Sequence, residues 1–293
     1  MHKSLTSVAA AGLALVLPWM AAAAEKKPWK DSFIQVGDIK IHYIEAGAGE
    51  RSLVFIPGWT MVAEVWREQL PYFSARGFHV YALDPRSHGQ TTKTEGGNTY
   101  LQQAADLHAF LRTLKIEHAA LVGWSAGVAV LLEYISSPET LQPEKLVLVD
   151  GSPCGLKDAD CQGGATIQQA RSFLLSIQED RAKMTAQFVK SMFKSRQQEV
   201  LLKEISDGSL KTPTGAALSL FFDGFTGDRR PALAHVGVPT LVVVPDERRL
   251  IGESMQSKIA RSKLEVVPEA GHALFLEKPQ TFNQILESFL GEN

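Results

Sequence analysis

The sequence predicts an α/β fold: a mostly parallel sheet with helices on both faces, interrupted by a helical insertion. Three observations carry this. Short, nearly continuous apolar runs at 53–56, 79–83, 145–149 and 240–244 alternate with helix-spaced segments, the pattern of strands buried on both faces of a parallel sheet. Gly123-Trp124-Ser125-Ala126-Gly127 stands between the apolar run 119–122 and the helical start 128–134. Residues 153–235 then hold helical segments with no strand among them. A chain of 293 residues, 45% of them hydrophobic, buries a full core, and one large domain with an insertion is expected. The net charge of −2, with no arginine-rich run, argues against nucleic acid as a partner.

The elements follow in order. Residues 33–36 and 40–44 alternate in polarity around Gly37-Asp38 and read as a hairpin. Gly47-Ala48-Gly49 is a turn, because no third glycine or helix follows it. The run 53–56 is the next strand, 65–73 a helix, 79–83 a strand, and 100–114 a helix with Leu101, Ala104, Leu107, Leu111 and Leu114 at helical spacing. After the strand 119–122, the serine turn and its helix comes the strand 145–149. Helices are expected at 167–177, 182–193, 197–205 and 214–222, laid as a cap over the strand ends. Strand 240–244, helix 252–260, strand 263–267 and helix 281–290 complete the chain. The resulting division is 1–24 leader, 25–152 first part of the core, 153–235 cap and 236–293 second part of the core.

The leader is assigned from its pattern. His2-Lys3, the apolar run from Leu5 to Leu17 and Ala21-Ala22-Ala23-Ala24 before Glu25 match a secretory signal with cleavage after Ala24. A periplasmic or secreted protein is expected, with no stable membrane span after cleavage. Cys154 and Cys161, the only cysteines, are then in an oxidising compartment and are expected to close a short disulfide loop.

A serine in a sharp strand-to-helix turn presents its hydroxyl outward, and the flanking glycines avoid collisions there. Ser125 is therefore the candidate nucleophile. The Ala126 N–H, at a helix start, faces the same space and is a candidate oxyanion donor. His272, in the loop between the last strand and the last helix, lies at the same sheet edge and is the candidate general base.

These motifs, with Ile56-Pro57-Gly58-Trp59, Asp84-Pro85-Arg86-Ser87-His88-Gly89, Ala270-Gly271-His272 and the stretch from Asp228 to Leu241, make the chain from residue 33 onward resemble the α/β-hydrolase fold enzymes. The resemblance implies an eight-stranded-type sheet with a helical cap and a Ser-His-acid triad. It also implies that Trp59 supplies the second oxyanion N–H. Pro57 departs from the family in standing where histidine is usual, which removes a side chain that supports that loop. Arg86 and His88 are expected to fix the turn after Asp84. The acid usually follows the strand 240–244, but Pro245-Asp246-Glu247-Arg248 puts Arg248 in its place. Asp150, at the end of strand 145–149 where haloalkane dehalogenases and pancreatic-type lipases carry their acid, is the expected partner of His272, with Asp246 the alternative.

The resemblance thus implies a serine hydrolase acting on small to medium apolar carboxylic esters, without cofactor or metal. A cofactor-free haloperoxidase (perhydrolase), a C–C bond hydrolase and a slow-turnover small-molecule receptor share these features. Slow turnover with saturable binding would mark the receptor.

Overall fold

A computed structural model describes residues 27–161 and 163–292; the signal segment expected at 1–24 lies outside the described residues. The hairpin forms as expected from β1 (Lys30–Val36) and β2 (Ile39–Ala46), with Val36 opposite Ile39. Then follow β3 (Arg51–Ile56), α1 (Gln69–Ser74), β4 (Phe78–Leu83), α2 (Tyr100–Thr113), β5 (Ala119–Trp124), α3 (Ala126–Ser136) and β6 (Lys145–Val149). Four helices come next: α4 (Ile167–Glu179), α5 (Arg181–Ser191), α6 (Glu199–Leu210) and α7 (Thr214–Thr226). A short α8 (Arg230–Leu233) leads to β7 (Thr240–Pro245), α9 (Arg249–Gln256), β8 (Ser262–Val267), α10 (Leu274–Glu277) and α11 (Pro279–Gly291).

The eight strands form one sheet in the order β1-β2-β4-β3-β5-β6-β7-β8. β2 is antiparallel to β1 and β4, and all other pairs are parallel. Because successive side chains of a strand point to opposite faces, the central strands feed two cores. Val54, Leu121, Leu148 and Val242 pack with Phe110 of α2 and Leu131 of α3. Phe55, Val122, Val147 and Val243 pack with Trp66, Phe275 and Phe282. Trp66 is fully buried and stacks on Phe275 at 4.1 Å. This double burial is why these strands read as continuous apolar runs.

Two of the expected helices are replaced in part by tighter turns. Residues 65–73 are not one helix but a 3-10 turn, Ala63–Trp66, followed by the short α1. Pro71 has no N–H to give the carbonyl four residues back, so a continuous helix through it would lack a rung. The helix expected at 252–260 runs instead over α9, and Lys258 and Ile259 close tighter three-residue turns onto Met255 and Gln256. Ile259 is buried in that turn, which preserves the apolar spacing without the helix.

The helical insertion is gathered at a neck. Cys154 bridges Asp228 in an antiparallel pair, and the Arg229 N–H donates to the Pro153 carbonyl at 2.6 Å. The disulfide expected between Cys154 and Cys161 is formed, with Cα atoms 6.2 Å apart. Buried Arg229 ties this neck to α3 of the core through an ion pair with Glu133 (2.8 Å) and to α7 of the insertion through one with Asp223 (3.1 Å). Among the described residues no helix is long and apolar enough to cross a membrane.

Candidate active site

Five loops at the carboxyl ends of β3, β5, β6, β7 and β8 meet at one sheet edge, the place where open α/β sheets bind ligands. Ser125 links β5 to α3 with φ 56° and ψ −116°, a strained conformation of the kind found at functional turns. Its flanking glycines are required by close approach. A Cβ on Gly123 would stand 2.5 Å from the Gly127 carbonyl oxygen, and one on Gly127 would stand 2.5 Å from that of Ile56. The Ser125 N–H donates to the Val149 carbonyl at 2.8 Å, which locks the turn against the end of β6.

Asp150 follows immediately, also with positive φ (41°), and its own N–H donates to Val243 at 2.8 Å. Its carboxylate is buried, with one oxygen 2.6 Å from His272 Nδ1. The other oxygen is 2.6 Å from Arg248 Nε in an ion pair. A buried carboxylate is costly unless compensated, and here one charge and one imidazole N–H compensate it. His272 keeps a quarter of its side chain exposed. Its carbonyl accepts from the indole N–H of Trp124, the residue before Ser125, at 2.9 Å, and the two rings lie 5.1 Å apart. Asp150 is thus brought to His272, and Trp124 ties the residue before Ser125 to the His272 backbone, whereas Asp246 pairs with Lys194 at 3.7 Å. A cleft of about 500 Å³ lies against His272, Asp150 and Arg248, walled by Phe188 and Met192 of the insertion.

The loop after β3 packs on the serine. A Cβ on Gly58 would be 3.1 Å from that of Ser125. The next N–H, that of Trp59, has no acceptor among the described residues. Ala126 is the first residue of α3, and the leading N–H groups of a helix have no intrahelical acceptor. The Trp59 side chain serves separately. Its indole N–H donates to the Ala217 carbonyl at 2.8 Å, and its ring is enclosed by Phe173, Phe188 and Phe221 at 5.6, 5.6 and 5.9 Å.

The support removed with a histidine at position 57 comes from elsewhere. His88 Nε2 accepts the Thr60 N–H at 3.0 Å, and its Nδ1 donates to the Arg86 carbonyl at 2.8 Å. Burial, with smaller effects from nearby charges, pushes His88 down to about 4, so it is neutral, as an acceptor at Nε2 must be. Buried Arg86 is held by Asp106 and Asp38. Asp84 accepts from the Ala63 N–H at 2.7 Å. The residues of the turn after Asp84 therefore brace both that turn and the Trp59 loop.

Sequence reading noted Arg248 only as a missing acid and did not pair it with Asp150. The signal was present, a cation at the position where the carboxylate is usual.

Comparison with known proteins agrees with this geometry. The alpha/beta hydrolase family model matches residues 53–285. The chain is similar to the pimeloyl-[acyl-carrier protein] methyl ester esterase of Nitrosomonas europaea, 26% identical over 82% of this chain and 96% of the esterase. It is also similar to a non-heme haloperoxidase of Rhodococcus erythropolis, 24% identical over 88% of this chain and 98% of that protein. The crystal structure of a bromoperoxidase from Bacillus anthracis superposes with a TM-score of 0.84 at 25% identity, covering 90% of this chain and all of that one. With four-fifths of its length inside the family model and the sheet edge built as described, the chain belongs to the alpha/beta hydrolase family and is an enzyme of that family.

Proposed function

We propose that this enzyme is an exported serine hydrolase that cleaves carboxylic esters of small to medium apolar substrates through an acyl-enzyme. The observation that carries the reading is the 2.6 Å contact of His272 Nδ1 with Asp150, at the sheet edge that also bears the strained Ser125 turn. Held by Asp150, the imidazole keeps its proton on Nδ1 and turns Nε2 to the serine. His272 takes the Ser125 proton as Oγ attacks the ester carbonyl. The oxyanion is received by the N–H groups of Trp59 and Ala126. His272 then gives its proton to the departing alcohol. Water, activated by the same imidazole, releases the acid and restores Ser125. Asp150 stabilises the imidazolium in both halves, and Arg248 fixes its second oxygen. The aromatic wall of Trp59, Phe173, Phe188 and Phe221 supports apolar acyl or alcohol groups.

A panel of p-nitrophenyl esters of increasing chain length tests the reading: turnover of short to medium chains is expected, and failure to turn over any of them sinks it. The haloperoxidase relative favours one second reading, in which hydrogen peroxide replaces water in attack on the acyl-enzyme and releases a peracid. Peracid formation from acetate and peroxide separates it from simple hydrolysis. Export is supported by the pattern of residues 1–24 and by the Cys154–Cys161 bridge. Mass spectrometry of protein from the native host is expected to find Glu25 as the first residue; a retained Met1 refutes cleavage.

A further inference from the structure

Arg181, the first residue of α5, carries a charge with no hydrogen-bonding partner among the described residues. Its Nε, Nη1 and Nη2 atoms are buried, and none has a hydrogen-bond partner among the described residues. The nearest carboxylate in sequence, Asp180, is occupied as the cap of its own helix, accepting the Lys183 N–H at 2.9 Å. The Arg181 guanidinium lies 5.0 Å from the Trp59 ring centroid, so it covers the loop whose Gly58 packs on Ser125. Its charge is also felt by His88 beneath that loop. Burial alone pulls the guanidinium down to about 10, which shows how little around it favours the cation. An arginine used only for packing on an aromatic ring normally keeps its nitrogens in water or against a carboxylate. Here five donors stand by the Trp59 ring, beside the loop whose Gly58 packs on Ser125.

We propose that Arg181 receives a carboxylate carried by the substrate, so that the preferred substrates are esters with a free carboxylate a few carbons from the scissile carbonyl. The guanidinium fork matches the two oxygens of a carboxylate. The aromatic rings around Trp59 take the methylene chain between the two ends. Binding replaces the missing acceptors and orients the ester on the Ser125 side of the loop. The proposal rests on the ester-hydrolase reading above.

The test compares monomethyl esters of the dicarboxylic acids from succinate to suberate with methyl esters of the matching monocarboxylic acids, following methanol release. For the wild type, kcat/KM of the best half-ester is expected to exceed that of its neutral counterpart at least tenfold, chiefly through KM. Arg181→Met is expected to lower that ratio at least tenfold, and Arg181→Lys to retain part of it. A wild-type ratio of one or less at every chain length overturns the proposal. So does an unchanged ratio in Arg181→Met, because a merely structural arginine would lower both rates alike. If Arg181→Met fails to fold, the wild-type ratio and Arg181→Lys still decide. If the wild type turns over neither class, the hydrolase reading fails. Calorimetric binding of adipate then decides the role of Arg181. Binding weakened in the Arg181→Lys protein and lost in the Arg181→Met protein supports it, and binding equal to wild type in both, or no binding by wild type, overturns it.

Discussion

Replacing Asp150 by asparagine removes the charge that faces His272 while keeping the side chain's size. The carboxylate is buried and spends one oxygen on His272 Nδ1 and the other on Arg248, each at 2.6 Å. An amide stabilises no imidazolium, and its NH2 group, turned toward Nδ1, imposes the wrong tautomer. Loss of a well-placed triad acid costs on the order of 10⁴-fold in kcat, roughly 5.5 kcal/mol of barrier. The fold should lose less. Arg248 is about one-third exposed and can turn toward water, so the lost charged contact costs about 1–3 kcal/mol of stability. Asp246→Asn is the internal control. Its contact with Lys194 is long (3.7 Å), and both side chains are about one-third exposed, so about 0–1 kcal/mol of stability is at stake. Its turnover should remain within roughly tenfold of wild type, or less than about 1.4 kcal/mol of barrier. The assay is ester hydrolysis at saturating and limiting substrate, with folding of each variant checked by circular dichroism. The opposite ranking of the two variants would refute the assignment of Asp150.

Other expected outcomes follow from the same contacts. Arg248→Gln should lower kcat about tenfold, or about 1.4 kcal/mol, with little change in KM, and Arg248→Lys should recover part; a change confined to KM would place Arg248 at the substrate instead. Stability should fall in acid. His88 is held near 4 by burial against an ordinary 6.5, so its contribution is complete above about pH 6.5 and is lost as pH drops through 4. That amounts to about 2 kcal/mol near pH 5 and about 3 kcal/mol near pH 4. His42 acts with the opposite sign, because Asp84 and Asp31 outweigh burial and raise it. Urea unfolding of wild type and His88→Asn across this range isolates the His88 part: the variant should show a flatter acid slope, and parallel slopes would contradict the neutral assignment.

Much of the fold was legible because the physics that sets it is local. The strands 145–149 and 240–244 announce themselves as apolar runs because both faces of the sheet are covered. The Ser125 turn is readable because Gly123 and Gly127 answer a crowding that any side chain would violate. The misread helix at 65–73 shows the converse, since apolar spacing outvoted Pro71. At the site, Ser125 and His272 are readable as candidates from the elements that carry them. The choice between Asp150 and Asp246 turned on a contact between two loops distant in sequence. The pairing of Asp150 with Arg248 was hidden for the same reason, although each residue had been noticed. The unpartnered guanidinium of Arg181 is a property of its surroundings, which no sequence pattern records.

Hydrolysis of a short-chain p-nitrophenyl ester by wild type and Ser125→Ala, on protein whose thermal midpoint is measured alongside, tests the central claim most directly. The Ser125 side chain sits in a partly exposed turn, so the variant should fold with an unchanged midpoint. Its turnover should fall by at least about 10⁴-fold, as loss of a nucleophile demands. A folded Ser125→Ala protein that retains near wild-type turnover would contradict the account.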